Sequence, residues 1–406
     1  MPEPDLLDFA IRALKTNDMA GAEIAAHQLL DNAPEDAAAL RLLGVIAARV
    51  QAFDAAESYF TRALAAEAGN AQIAQNLAAA RTAPRPKLPS GDRFLLIREW
   101  GFGFWSDVSH TLGALLLAEA TGRIPLTWWG ADSLFSDGAD RDAFQLYFQP
   151  VSDVTLQDLA EGGFFPPRWT AGNLKTSDAA KWQTRTGAVY FINRPEKIAV
   201  CDFFIAVASV MPWLPPSHPM HGKQVLEVWR YLADKYLRPR GEIIAAVDAF
   251  FDRELKGAPF VAAHLRGSDK TLEDAKAYDV NQTILSELRE EDPSRRILIL
   301  TDDERCLERS REMFGARVAA TDCQRTHGDE GVHYLPTTDK VQAGREAMID
   351  VYLALRGERF TGNGLSNLSA MISVLKHWPA GACRLESGWI LADRSLTLYR
   401  KKMLAS

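Results

Sequence analysis

The chain has 406 residues, 47% hydrophobic and 24% charged, with a formal net charge of -7, which suits a globular protein of two or three domains. Such a charge argues against a general nucleic-acid or membrane-surface binder, because both partners demand a basic face. Four cysteines, Cys201, Cys306, Cys323 and Cys383, are scattered with no CxxC pair, a pattern of neither a zinc site nor a disulfide framework, and one that fits a reducing compartment.

The first residues, Met-Pro-Glu-Pro-Asp, carry no basic and apolar leader, and no apolar run reaches membrane-spanning length, so a cytoplasmic location is expected. From about residue 5 to 82 the sequence is rich in Ala and Leu and reads as helix throughout. A shift of 34 positions superposes Leu6 on Leu40, Ala10 on Gly44, Ala22 on Ala56 and Leu30 on Leu64. That period belongs to helix-turn-helix solenoids, with small residues where paired helices cross. The segments Leu40–Gly44 and Ala55–Phe60 resemble tetratricopeptide repeats, with Pro34 ending the first unit and a capping helix from about Asn70 to Ala80. Two units are fewer than such arrays need to stand alone, so their apolar surface is expected to rest on the following domain or on another chain.

Three prolines in Thr82–Gly91 mark a linker. Beyond it strands alternate with helices. Phe94–Ile97 reads as a strand, Trp100–Trp105 as a glycine loop, Asp107–Thr121 as an amphipathic helix containing His110, and Ile124–Trp129 as the strand that closes a βαβ unit. The loop lacks the G-x-G-x-x-G dinucleotide pattern, and a tight turn that lets a helix approach the sheet explains it equally well. Residues 130 to 219, irregular and rich in Trp, Phe and Pro, receive no assignment.

A helical stretch from Gln224 to Leu255 leads into an apolar run, Pro259–Ala263, that reads as a buried parallel strand. A second α/β unit follows: strand Ile297–Leu300, turn Thr301–Asp303, helix Glu304–Phe314, strand Arg317–Ala320, helix Gly344–Leu355, strand Glu358–Thr361 and helix Asn367–His377. The expected organisation is therefore a helical region over residues 1–83, a first α/β lobe over 92–235 and a second over 236–406.

The residues after the buried run, His264-Leu265-Arg266-Gly267-Ser268-Asp269-Lys270, emerge where a parallel strand ends, the edge at which open α/β sheets bind ligands. Four such polar groups are costly to bury unpaired, yet together they can converge on an anion such as the diphosphate of a nucleotide sugar. A surface loop whose charges pair with one another would show the same composition.

The order Tyr236-Leu237-Arg238-Pro239, His264–Lys270, Thr301-Asp302-Asp303, Asp350 and Gly364-Leu365-Ser366-Asn367 resembles the α1,6-fucosyltransferases, with protein O-fucosyltransferases as more distant relatives. The likeness covers roughly residues 225 to 380. It implies an α/β, GT-B-like two-lobed fold, GDP-fucose as donor, no metal or other cofactor, and inversion at the anomeric carbon. By the same resemblance His264, Arg266, Asp269, Asp302, Ser366 and Asn367 belong to the donor site, with Arg266 on the diphosphate, for which a guanidinium fork is suited. Lys270 would stabilise the β-phosphate as the glycosidic bond breaks. Asp350 would read the guanine edge, two N–H donors facing one carboxylate. Ser366 would meet phosphate at a helix N-terminus, or serve as its N-cap.

Asp274, with Glu273 beside it, matches the acid that takes the acceptor proton; a solvated acid at a helix start is the plain alternative for either. Two family arginines are replaced, one by Gly267 and one by Ala370, and Arg325, Lys340 or Arg345 could restore the missing charge. His327 and His333 read as surface histidines.

The expected activity is transfer of fucose or a related sugar to a glycan or protein acceptor, the repeats recruiting that acceptor or a second subunit. Two other readings differ in class: transfer of another sugar on the same fold, or a degenerate transferase whose repeats form the working interaction surface.

Overall fold

Helices α1 (Leu6–Lys15), α2 (Met19–Asn32), α3 (Ala37–Arg49), α4 (Phe53–Ala66) and α5 (Ala71–Thr82) open the chain, each packed on the next. Asp5, Asp18, Asp36 and Asn70 cap four of them by accepting backbone N–H groups of the first turn. Gly44 is required where α3 crosses α4, since a Cβ there would fall 2.5 Å from the Phe60 ring. The computed structural model describes residues 5–176, 181–267, 277–328, 330–394 and 398.

Helix α2 is buried from Ala20 to His27 without a break, because its far side lies on the first α/β lobe. The Tyr190 hydroxyl accepts from Met19 N at 3.0 Å and donates to Asn17 O at 3.2 Å. Asn193 donates to Val50 O at 3.1 Å, and the Trp213 indole donates to Glu23 Oε1 at 2.6 Å. The apolar face of the helical region thus rests on the domain that follows it.

In that lobe β1 (Phe94–Arg98) is followed by α6 (Phe104–Ala120) and β2 (Ile124–Trp128). The unassigned stretch supplies β3 (Phe164–Phe165), the short α7 (Lys181–Thr184), β4 (Ile198–Cys201) and the short α8 (Val207–Val210). All pairings are parallel, in the order β2-β1-β4-β3. Leu95 and Ile97 of β1 enter the main core while Phe94 and Leu96 enter a second one, which is why the strand reads as a continuous apolar run. Helix α6 corrects its sequence reading. It starts earlier, at Phe104, and it is not amphipathic in use: nearly every residue from Phe104 to Ala118 is buried, since the side turned away from its own sheet carries the second lobe.

The stretch expected as one helix over 224–255 is two, α9 (Val225–Tyr236) and α10 (Gly241–Glu254). Pro239, which can neither donate an N–H nor let its predecessor stay helical, lies between them. Then follow β5 (Phe260–His264), α11 (Ala277–Leu288), β6 (Arg296–Leu300), α12 (Glu304–Phe314), β7 (Val318–Ala319), α13 (Lys340–Ala354), β8 (Arg359–Asn363), α14 (Asn367–Leu375) and β9 (Cys383–Glu386). The sheet order is β7-β6-β5-β8-β9, again parallel throughout. Phe260 and Ala262 face the main core and Val261 and Ala263 a separate cluster with Ile297 and Ile299.

The architecture is α/β and two-lobed, each lobe built on a parallel sheet, preceded by an all-α region. The lobes meet through α6: the Trp105 indole donates to Ala347 O at 3.0 Å and Ser109 Oγ to Asn367 Oδ1 at 3.4 Å. Glu119, near its end, gathers Tyr231, Tyr236, Lys235 and His218 at 2.7 to 3.1 Å. After β9 the chain returns to the first lobe, where Leu391 O accepts from the Trp229 indole at 2.9 Å and Arg394 donates to Ala208 O at 2.7 Å. Among the described residues no helix is long and apolar enough to cross a membrane.

Candidate functional site at a sheet switch point

In the second sheet the chain steps from β5 to β6 to β7 on one side, then returns to place β8 and β9 on the other. The strand order therefore reverses between β5 and β8, and the loops leaving their carboxyl ends diverge to leave a crevice there. His264 pairs with Gly362 across that seam and with Leu300 on the far side. The carboxyl ends of β5, β6, β7 and β8 thus bring the His264–Gly267 segment, Thr301–Asp303, Thr321 and Asn363–Ser366 to one edge. Three of the separated motifs meet there, with Thr321 beside them.

Each expected residue has a distinct setting. His264 is buried, with Nδ1 2.7 Å from Ser369 Oγ in the first turns of α14. Burial, with the Arg266 charge adding to it, lowers its pKa to about 4, so the ring is neutral at pH 7 and ties β5 to α14. Arg266 forms an ion pair with Asp302, both side chains about one-fifth exposed (19% and 23%). Its carbonyl accepts from Asn281 Nδ2 at 2.8 Å, which fixes the backbone that carries the guanidinium. Ser366 occupies the N-cap of α14 in extended conformation, but its hydroxyl accepts no N–H of the helix. Asn367 begins that helix and bonds Ser109 across the lobes.

Asp350 comes up from α13 beneath the loop that follows β7. Thr321 Oγ1 donates to its Oδ1 at 2.6 Å. Burial raises its pKa to about 6, against the Thr321 bond and the Arg325 charge, which lower it; Glu346 and Asp302 push it further up. Arg325 is tied to Thr321 O at 2.7 Å and Cys323 O at 3.2 Å, so of the three cations considered as replacements it is the one beside the site. Arg345 instead pairs with Glu242 at 3.2 Å, and Lys340 is exposed in the first turn of α13. His327 is exposed, whereas His333 is half-buried with its ring 6.2 Å from that of Phe135.

The two family arginines are excluded by packing. A Cβ on Gly267 would fall 2.4 Å from Asp303 Cβ, and Ala370 is fully buried in α14. Asp303 itself caps α12 and holds Arg305 at 2.7 Å. The Tyr236–Pro239 motif is not at the edge: it forms the joint between α9 and α10, with Gln149 N donating to Arg238 O at 2.8 Å. Asp269, Lys270, Glu273 and Asp274 lie outside the described residues.

Sequence reasoning missed Thr321 and Ser369, the hydroxyl partners of Asp350 and His264. Thr321 had a usable signal, since it follows an apolar strand as His264 and Thr301 do; Ser369 had none.

The first sheet reverses in the same way, between β1 and β4, and its crevice is filled. Arg98, 2% exposed, pairs with Glu99 at 3.2 Å and donates to the carbonyls of Leu174 and Thr176, which cover it. Arg168 binds Asp202 through both carboxylate oxygens at 2.7 Å. His110 accepts from Ile205 N at 3.0 Å, so its other nitrogen donates to Arg98 O at 3.0 Å, and burial lowers its pKa to about 3.

No family model matches the chain, and no curated protein matches it. Solved structures similar to it include NodZ alpha-1,6-fucosyltransferase soaked with GDP-fucose (19% identity over 70% of this chain and 93% of that one, TM-score 0.47). POFUT1 in complex with GDP-fucose is 13% identical over 74% of this chain and 99% of that one, with a TM-score of 0.44. FUT1 of Arabidopsis thaliana in complex with GDP is 11% identical over 81% of each chain, also with a TM-score of 0.44.

Proposed function

We propose that this chain is a glycosyltransferase that moves fucose, or a related 6-deoxyhexose, from a GDP donor to a glycan or protein acceptor, with inversion and without a metal ion. The observation that carries the reading is the convergence of Arg266, Asp302, Asp350 and Ser366, from four separate segments, on one switch point. Arg266 takes the diphosphate, exchanging its bond to Asp302 for phosphate oxygens, and the Ser366 hydroxyl with the first-turn N–H groups of α14 takes the rest of the anion. Asp350, ionised above about pH 6, accepts the two N–H donors that guanine offers and uracil lacks. Lys270 neutralises the departing β-phosphate and Asp274 or Glu273 accepts the acceptor's proton; both roles rest on the family resemblance. The helical region, through the faces left free by its docking, recruits the acceptor or a second subunit in a reducing, cytoplasmic setting.

Calorimetric titration of the full chain with GDP, UDP and ADP, then with GDP-fucose and GDP-mannose, tests the reading. The expected result is GDP binding at least about tenfold tighter than UDP, a difference of about 1.4 kcal/mol. Equal affinities would remove Asp350 from base recognition and with it the donor assignment.

A further inference from the structure

Among the described residues the large hydrophobic side chains most open to solvent are Leu88, Phe102, Trp182 and Tyr334. Leu88 belongs to the linker and Tyr334 to the second lobe; Phe102 and Trp182 meet at the glycine loop of the first lobe. We propose that Phe102 and Trp182, standing on Trp100, form a stacking ledge for a pyranose ring of a carbohydrate acceptor. The proposal rests on the transferase reading and adds to it the class of acceptor and the place where it sits.

The ledge has a floor and a fixed shape. Trp100, 4% exposed, lies with its ring centroid 5.0 Å from both Phe102 and Trp182 and 5.2 Å from the buried Phe203 beneath. The two exposed rings are 6.1 Å apart and nearly perpendicular, at 78°. Gly101, at φ +91, supplies the left-handed turn that lifts Phe102. Asp107, fully buried, accepts from Gly101 N at 2.8 Å and Phe102 N at 3.3 Å and so holds the loop. Lys181 donates to Trp100 O at 2.7 Å and binds the segment bearing Trp182 to that loop. Little conformational freedom remains to be lost on binding, which is the condition for a rigid recognition surface.

The loop that carries the ledge meets the second lobe at His333. The loop that carries Thr321 and Arg325 ends at His333 and Tyr334, and a Cβ on Gly103 would lie 4.0 Å from the His333 ring. A sugar lying on the ledge therefore sits beside the His333 end of the loop that begins at Thr321.

The shape selects the occupant. A protein partner needs one contiguous apolar patch of several hundred Å² to bury. Two rings that meet edge to face instead offer small apolar faces of the size of a pyranose C–H face, with the Lys181 ammonium, 5.2 Å from the Trp100 ring, nearby for hydroxyl groups.

Full-length protein carrying a fluorescent label, saturated with GDP, is applied to a printed array of natural glycans and to a matched array of peptides. The wild type is expected to bind a subset of glycans, with Trp182→Ala reduced at least about tenfold and Trp182→Phe retaining most of the signal. Binding to peptides alone, to no glycan at all, or equally by Trp182→Ala overturns the ledge. GDP affinity in the same preparations separates the two readings, since a wild type that fails to bind GDP refutes the donor site whatever the arrays show.

Discussion

The two sheets share a switch point and use it in opposite ways. Each is parallel, and each reverses strand order beside its first strand. In the first lobe the crevice so created is packed with Arg98, Glu99, Arg168, Asp202 and His110, paired with one another or with backbone and roofed by Leu174–Thr176. In the second the corresponding arginine is partly open to solvent, a helix N-cap hydroxyl is left unused by its helix, and a carboxylate is held near neutrality by burial. Topology supplies a place for a ligand. The side chains at the strand ends decide whether it stays available.

The contrast is broken most sharply at the two arginines. Arg98→Ala leaves Glu99 buried beside an empty roof and is expected to lower stability by about 3 to 5 kcal/mol, read as a lower midpoint of chemical denaturation. Arg266→Ala is expected to do the reverse. Its stability cost is expected to be smaller than that of Arg98→Ala, because the Arg266–Asp302 pair keeps partial access to solvent, while GDP affinity falls by about 2 to 4 kcal/mol, roughly 30- to 1,000-fold. Unchanged GDP binding in Arg266→Ala, or a fully stable Arg98→Ala, would mean that the two edges do not differ in kind.

Gly267→Ala probes the backbone that carries Arg266. With 2.4 Å between the new Cβ and that of Asp303, the loop must move, at a cost of about 1 to 3 kcal/mol. Weakened GDP binding with the Arg266 side chain intact is the expected outcome; wild-type affinity and melting temperature together would show that the loop adapts freely.

The smallest expected effect depends on pH. The pKa of Asp350 is raised from 3.8 to about 6 in the folded chain, so the stability linked to its protonation is complete below about pH 4 and is lost as pH rises through 6. The proposed guanine recognition runs the other way, because it would need the carboxylate. The preference for GDP over UDP is expected to be full above about pH 7 and to fade as pH falls through 6, while Asp350→Asn shows a weaker preference that does not vary with pH. Titrations at pH 5, 6 and 7.5 distinguish the two, and a pH-independent preference in the wild type would place the base elsewhere.

Much of the second edge was legible in the sequence because strand ends announce themselves: an apolar run gives way to His264 and Arg266, or to Thr301 and Asp302. The first edge was not. Ile198–Cys201, the strand that neighbours β1, is only four residues long and sits among prolines and aromatic residues with no helix pattern to frame it. The burial of α6 on all sides was invisible for another reason, since half of it comes from the other lobe, through contacts such as Trp105 with Ala347. Small hydroxyl partners such as Ser369 carry no local signature, and their role depends on a helix start meeting a strand end from 105 positions away.

The return of residues 389–394 to the first lobe bears on the order of assembly. The Trp229 indole and the Ala208 carbonyl find their partners 162 and 186 positions further along the chain. Contacts of such span close late and slow the search for the native state, because the intervening loop must lose its entropy before any bond is gained. The expected order is therefore that the first lobe's sheet forms before its surface is sealed, since Leu391 and Arg394 follow β5 to β9 in the chain.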